Sequence, residues 1–334
     1  MVKKIGINGF GRIGRLIFKA ILETTGIEVV AINDLTDVKV IAHLLKYDST
    51  YGRFKGTVEY KNAGDHDVLI VNGKEINYYH IKNPEEIPWD KHEVEIVYES
   101  TGKFTNKEDC LKHVRGTVRR CVLSAPSKGE IDATIVYGVN NDDLKPEMKV
   151  ISVASCTTNC LAPVAKVLDE KFGIVKGFMN TVHAFTNDQR VLDFVHTDLR
   201  RARTASTNII PTSTGAAKAV GLVLKNLKGK LNGVALRVPV VTGSVVDLVC
   251  EVSKPTTKEE VNNAIKEAAD GPLKGTLGYT YDPIVSTDII GITEGSYFDM
   301  ESTMVMGNMV KILTWYDNES SFVWQSVRLL RDLA

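Results

Sequence analysis

Along residues 1–150, short β-branched runs alternate with amphipathic stretches, a pattern that predicts a parallel sheet covered by helices. Lys3–Asn8 reads as the first strand. From 13 to 22 the apolar residues Ile13, Leu16, Ile17, Ala20 and Ile21 recur at helical spacing, and 27–32 then reads as a second, largely buried strand. That completes a βαβ unit. Further buried strands are predicted at 94–98, 121–124, 134–137 and 150–154, with charged helical stretches such as 106–114 between some of them. After Cys156 the texture changes. Residues 161–172 predict a helix, 177–184, 234–240 and Ser244–Val252 predict longer strands, and 323–333 predicts an amphipathic closing helix, so the second half reads as α+β. Between its strands, 188–215 is crowded with Arg, Thr, Ser and Asn and is too long for a plain connection, which marks it as a candidate binding loop.

Length and composition narrow the class. A chain of 334 residues with 43% hydrophobic and 25% charged residues is expected to fold as two domains of an ordinary globular protein. Forty-one Lys plus Arg balance forty-one Asp plus Glu, which leaves no electrostatic footprint for a polyanion. The five cysteines, Cys110, Cys121, Cys156, Cys160 and Cys250, are scattered, with neither a CxxC pair nor zinc spacing, so neither a disulfide scaffold nor a metal site is expected. The start MVKKIGINGFG has no continuous apolar core, and no later run approaches a membrane-spanning length, so a reducing cytoplasm is the expected location.

Two motifs carry chemistry. Gly9-Phe10-Gly11-Arg12-Ile13-Gly14 is a GxGxxG directly after a strand and opening a helix. Its first Gly suits a tight turn, its second a close backbone approach to a pyrophosphate, and its third close helix–strand packing. Asp34 follows Gly14 by twenty residues at the end of the second strand, where a carboxylate accepts from both adenosine ribose hydroxyls and repels a 2′-phosphate, which favours NAD over NADP. The second motif, Ser155-Cys156-Thr157-Thr158-Asn159-Cys160, falls between a predicted strand and a predicted helix. A cysteine at a helix start is expected to gain thiolate character from the helix dipole, whereas Cys160, one turn deeper, is expected to face the core. Of the seven histidines, His183 ends an apolar strand and opens a polar run, which places it as the candidate partner of Cys156. His66, His80 and His92 read as solvated and His43 as a core histidine. Arg200, Arg201, Arg203 and Arg237, with Thr212-Ser213-Thr214-Gly215, supply cations and hydroxyls suited to phosphate, although Arg200 and Arg203 near Asp198 equally suit structural ion pairs.

With these pieces assembled, nearly the whole chain resembles the phosphorylating glyceraldehyde-3-phosphate dehydrogenases. The signatures are GINGFGRIGR at 6–15, AIND at 31–34, ESTG at 99–102, SCTTNC at 155–160, HAFTNDQR at 183–190, DLRRAR at 198–203, STGAAKAV at 213–220, RVPV at 237–240 and WYDNE at 315–319. The resemblance implies a Rossmann-type NAD-binding domain over 1–154, with the C-terminal helix at about 319–334 packing back on it, and an α+β catalytic and oligomerisation domain over 155–318. It implies Cys156 as nucleophile and His183 as its activator and acid/base. It further implies Ser155, Thr157, Thr214, Gly215 and Arg201 as the site for inorganic phosphate, and Thr186 and Arg237 as holders of the substrate's own phosphate. For NAD it points to Arg12, Ile13, Asp34, Lys82, Ser124 and, against the carboxamide, Asn318. A homotetramer oxidising glyceraldehyde 3-phosphate is implied, with no membrane partner and no nucleic acid as a primary one.

The chain also departs from the family pattern. Tyr51 and Tyr137 replace a common His and Met, and Ser320-Ser321-Phe322 follow WYDNE where the family has an aromatic, Gly and Tyr. Since Ser adopts a positive φ less readily than Gly, an altered local turn is expected ahead of a helix burying Val323, Val327, Leu330 and Leu333. Two other functions remain open to the sequence: an erythrose-4-phosphate dehydrogenase with the same Cys and His, and a non-catalytic RNA- or surface-binding protein.

Overall fold

The apolar runs of the first half become the centre of a nine-stranded sheet in the computed structural model, which describes residues 2–333. The strands lie in the order Ala133–Thr134, Val150–Ser152, Arg120–Leu123, Ile96–Glu99, Lys3–Asn8, Ile27–Asn33, Lys74–Tyr79, Asp67–Val71 and Val58–Asn62. Parallel pairing runs from the first of these to Lys74–Tyr79. Strand Ile96–Glu99 is buried at every position, as expected where helices and loops cover both faces of a parallel sheet. On the side of Trp89, a cluster of Ala31, Ile87, Val94, Val97 and Val118 excludes water.

The sheet is not purely parallel, in contrast to the pattern read from the sequence. Its last three strands form an antiparallel meander. The signal for this was present in Asn72-Gly73, which take φ of 52° and 79° and so make the left-handed hairpin turn that Asn-Gly favours. Some elements are shorter than predicted. Of 134–137 only Thr134 joins the sheet, in the strand Ala133–Thr134, 150–154 shortens to Val150–Ser152, and 106–114 gives only the helix Lys107–Leu111. The Asn106 side chain caps that helix, accepting from Asp109 N–H.

The chain divides into two compact units. One comprises Met1–Ile135, Asp142–Ala154 and Ser326–Ala334, and the other Val136–Asn141 and Ser155–Gln325. The second unit is built on a seven-stranded mixed sheet in the order Ile210–Ser213, Leu231–Val238, Ile174–Ala184, Ser244–Val252, Met309–Tyr316, Ser296–Met306 and Leu277–Thr280. Strand Ser244–Val252 alternates buried and half-buried residues, the period-two pattern of a sheet with one covered face. Helix Cys156–Phe172 packs on the sheet, and its Leu161, Val164 and Leu168 are without exposure. Strand Ile210–Ser213 lies inside the stretch 188–215, for which the sequence predicts a loop, and its pairing with Leu231–Val238 anchors the end of that stretch.

Candidate active site

In the first unit, the turn after Lys3–Asn8 is built from backbone that side chains would obstruct. Gly9 has φ of +90°, and a Cβ there would lie 2.5 Å from the Thr101 nitrogen. A Cβ on Gly14 would come within 2.1 Å of the Gly9 carbonyl oxygen, so the helix Arg12–Leu22 can approach the strand only with glycine at this position. Gly11, the N-cap, has open space beside it and carries no side-chain cap, leaving helix-start N–H groups available to an anion. Asp34 Oδ2 accepts from Phe10 N–H at 2.6 Å and Oδ1 from Thr36 N–H at 2.8 Å, which holds the turn against the end of Ile27–Asn33. Gly9, Gly11, Asp34 and Lys82 line one cavity of about 460 Å³ together with Ser100 and Thr101. A dinucleotide's adenosine and pyrophosphate fit this combination of open backbone, helix N-terminus and carboxylate. The Arg12 guanidinium is turned to Asp48 and lies over the Tyr51 ring. Ser124, whose N–H donates to the Glu99 carbonyl, and Ile13 do not line the cavity.

In the second unit, Ser155 caps the helix Cys156–Phe172 by accepting from Thr158 N–H, so Cys156 occupies the first helical position. The residue before the cap, Ala154, takes φ of +59°, an unusual conformation for a residue with a side chain, and turns the chain sharply into the helix. Parallel pairing of Ile174–Ala184 with Leu231–Val238 sets His183 opposite Arg237. The result brings Cys156 Sγ to 3.5 Å from His183 Nε2. His183 Nδ1 lies 2.6 Å from the Ala184 carbonyl oxygen and 2.6 Å from Arg237 Nη1, which also donates to that carbonyl at 3.1 Å. Guanidinium cannot accept, so the two neighbours of Nδ1 select different tautomers. With the proton on Nδ1, directed to Ala184, Nε2 is left as a base facing sulfur.

Electrostatics in this pocket follow burial first. Burial and then the Arg237 charge drive His183 down to about 3, which keeps the imidazole neutral. Burial also pushes the Cys156 thiol up, against the opposing pull of Arg237 and of the Thr157 hydroxyl. The net direction is therefore opposite to the thiolate enrichment expected from the helix start alone, because desolvation outweighs the dipole and the nearby cation. Tyr316 completes the pocket. Its ring lies edge-on to His183, and its hydroxyl is 2.8 Å from the hydroxyls of both Thr157 and Thr181. Sequence reasoning passed over Tyr316, although it stands inside WYDNE; nothing local announces that a buried tyrosine will meet a residue 159 positions away.

The remaining candidates are distributed around this pair. The Thr186 N–H and hydroxyl both donate to Gln189 Oε1, a buried residue. Arg201 is bonded to Asp188 at 2.6 Å and to the Thr212 hydroxyl at 2.7 Å. Thr214 Oγ1 accepts from Ala216 N–H, and Gly215 begins the helix Ala216–Val223 with no side-chain cap. Asn318 Oδ1 accepts from Gly243 N–H and from the hydroxyls of Thr242 and Ser244, which fixes the amide with its NH2 turned away from these donors.

Several expectations are corrected. His43 is exposed beside the Tyr47 ring, because it falls on the outer face of the helix Val38–Lys46. His66 and His92 are half-buried, each bonded to the Asn77 amide, with Tyr79 on both rings, so they are not simply solvated as expected. Ser321 needs no positive φ, since it lies within the helix Ser320–Asp332, where its hydroxyl accepts from Asp317 N–H while Asp317 Oδ1 accepts from Glu319 and Ser320 N–H. Leu333 is half-buried, unlike Val323, Val327 and Leu330. Cys160, by contrast, faces the core as expected, with its sulfur on the Ser296 hydroxyl and the Thr314 carbonyl.

Comparison with known proteins bears on the whole chain. Residues 3–107 match the family description "Glyceraldehyde 3-phosphate dehydrogenase, NAD binding domain", and residues 155–318 match "Glyceraldehyde 3-phosphate dehydrogenase, C-terminal domain". The chain is 56% identical over 336 residues to the glyceraldehyde-3-phosphate dehydrogenase of Geobacillus stearothermophilus, covering 100% of this chain and 99% of that one. It is 56% identical over 321 residues to glyceraldehyde-3-phosphate dehydrogenase 1 of Bacillus cereus, covering 96% and 95%. With glyceraldehyde-3-phosphate dehydrogenase 2 of Streptomyces avermitilis it shares 58% over 322 residues, again covering 96% and 95%.

Proposed function

The chain belongs to the glyceraldehyde 3-phosphate dehydrogenase family, and from that premise we propose that it uses Cys156 and His183 to convert glyceraldehyde 3-phosphate and inorganic phosphate to 1,3-bisphosphoglycerate. The protein is an NAD-dependent dehydrogenase, and NAD, when bound, supplies the hydride acceptor. The observation that carries the proposal is the 3.5 Å approach of Cys156 Sγ to Nε2 of a neutral His183.

The chemistry follows from that pair. Cys156 Sγ bonds to the aldehyde carbon as its proton passes to His183 Nε2, and the imidazolium so formed donates to the new oxyanion, giving a thiohemiacetal. As the carbon is oxidised, Nε2 takes the hydroxyl proton back and a thioester remains on Cys156. An oxygen of inorganic phosphate then attacks the thioester carbon, the C–S bond breaks, and the sulfur leaves with its negative charge matched by Arg237 and the imidazolium. Arg237 and Thr186 hold the substrate phosphate, while Ser155, Thr157, Arg201, Thr214 and Gly215 receive the attacking phosphate. Gly9, Gly11, Asp34 and Lys82 serve the dinucleotide from the cavity they line, Gly14 keeps the helix start close to it, and Arg12, Ile13 and Ser124 serve it from outside that cavity, with the Asn318 NH2 donating to the carboxamide oxygen.

A homotetramer suits the exposed apolar side chains of the Arg-rich loop, where Val191, Leu192, Phe194, Val195 and Leu199 each expose more than two thirds of their surface. Among the described residues no helix is long and apolar enough to cross a membrane, and all five cysteines are free thiols, which suits enzymatic work in a reducing cytoplasm. Steady-state rates with glyceraldehyde 3-phosphate and with erythrose 4-phosphate, each with and without inorganic phosphate, test the proposal. Phosphate-dependent turnover of the triose is expected. Faster, phosphate-independent turnover of the tetrose would assign the protein to the other aldehyde instead.

A further inference from the structure

Behind the dinucleotide cavity runs a chain of buried polar side chains that the reaction does not use. Trp89, Glu99 and His113 have no exposure, and Asn8 and Asn33 almost none. The Trp89 indole Nε1–H donates to His113 Nδ1 at 3.1 Å. An indole nitrogen can only donate, so Nδ1 carries no proton and His113 is held as the Nε2–H tautomer. That Nε2–H donates to Glu99 Oε2 at 3.2 Å. Asn8 Nδ2 donates to the same oxygen at 2.6 Å, while the N–H and hydroxyl of Thr101 donate to Oε1 at 2.8 and 2.5 Å. Glu99 is thus an acceptor on every side. The chain continues as Asn33 Nδ2 donates to Asn8 Oδ1 at 2.8 Å, and the Asn33 amide also grips the N–H and carbonyl of Ile81.

The open end of this chain is the wall of the cofactor cavity. Asn8, Asn33, Ile81 and Thr101 line it. Thr101 is also the surface on which Gly9 packs with no room for a Cβ, and the neighbouring Ser100 hydroxyl donates to the Gly9 carbonyl at 2.7 Å. We propose that Trp89, His113 and Glu99 are positioning residues for the cofactor, a buried relay that sets Thr101 and Gly9 by dictating which atom donates and which accepts at each link. The proposal rests on the reading of residues 9–14 as the dinucleotide turn. Within such a relay, reversing the polarity of one link is worse than changing its size, because donors are left facing donors away from water.

Glu99→Gln keeps the volume of the side chain but places an NH2 where a carboxylate oxygen accepted. Trp89→Phe releases His113 Nδ1 to take the proton, so Nε2 becomes an acceptor for that amide. Equilibrium dialysis of NAD against the full-length protein is expected to show binding weakened about tenfold in Glu99→Gln. It is expected to show a smaller loss in Trp89→Phe and tighter binding in the double variant than in Glu99→Gln alone. Alkylation of Cys156 without NAD is expected at the wild-type rate throughout, which separates lost positioning from lost folding. Where Glu99→Gln does not fold, His113→Gln, which keeps a donor and an acceptor, is expected to bind NAD more tightly than His113→Leu. Wild-type affinity in Glu99→Gln, simply additive losses in the double variant, or equal binding in the two His113 variants would each overturn the relay. Absence of NAD binding in the wild type would overturn the cofactor reading along with it.

Discussion

Cys156 is half-buried, whereas Cys110, Cys121, Cys160 and Cys250 are buried, and burial pushes the thiols of Cys160 and Cys250 up, the latter to about 12. Iodoacetamide is therefore expected to label Cys156 ahead of the other four, as read by peptide mass spectrometry, and Cys156→Ser to lose nearly all turnover. Arg237 is the cation common to Cys156 and His183, lowering the thiol and the imidazole alike. Replacing it by Gln removes a charge that favours thiolate and opposes imidazolium, so both pKa values rise. The pH profile of Cys156 alkylation should move up by about one pH unit in Arg237→Gln; a downward move would mean that the guanidinium does not act on sulfur. Asp34, proposed for the ribose, also holds Phe10 N–H. Asp34→Ala is expected to cut the preference for NAD over NADP by about tenfold, or ~1.4 kcal/mol, measured as the ratio of kcat/KM for the two cofactors.

At the scale of elements, the closing helix shows how a departure from the family pattern is absorbed. The Asp317 N–H donates to the Ser321 hydroxyl and the Ser321 N–H to the Asp317 carbonyl, so Ser321 strengthens the helix start that it had been expected to disturb. Farther along, the Ser326 hydroxyl accepts from the Tyr98 hydroxyl, and the Leu333 carbonyl accepts from Arg120. Restoring Gly at 321 removes a hydrogen bond and adds backbone freedom, and should destabilise the protein by about 1 kcal/mol in urea titrations. Greater stability in Ser321→Gly would show that the turn carries strain, which only glycine relieves.

At the scale of the whole molecule, the loop bearing Val191, Leu192, Phe194, Val195 and Leu199 presents more apolar surface than a monomer in water retains comfortably. Sedimentation is expected to give four times the chain mass, and Val195→Asp to shift the population towards smaller species at micromolar concentration. A wild-type monomer would leave that loop unexplained and remove the homotetramer from the proposed function.

Periodicity and turn chemistry act over a few residues, and what depends on them was legible in the chain. Strand Lys3–Asn8, helix Arg12–Leu22, the glycine turn between them and the cysteine at a helix start all follow from near neighbours. The antiparallel meander was legible too, in the Asn72-Gly73 turn. Pairings across long separations were not legible, because they depend on sheet register and on what burial leaves satisfied. The 3.5 Å approach of Cys156 to His183, the facing of His183 and Arg237, the tie from Tyr316 to Thr157 and the relay from Trp89 to Thr101 belong to this class. The sequence by itself determined which groups were available and how each short segment would fold. Tertiary structure decided which of them meet and, by withdrawing water from Cys156 and His183, which way their protons are held.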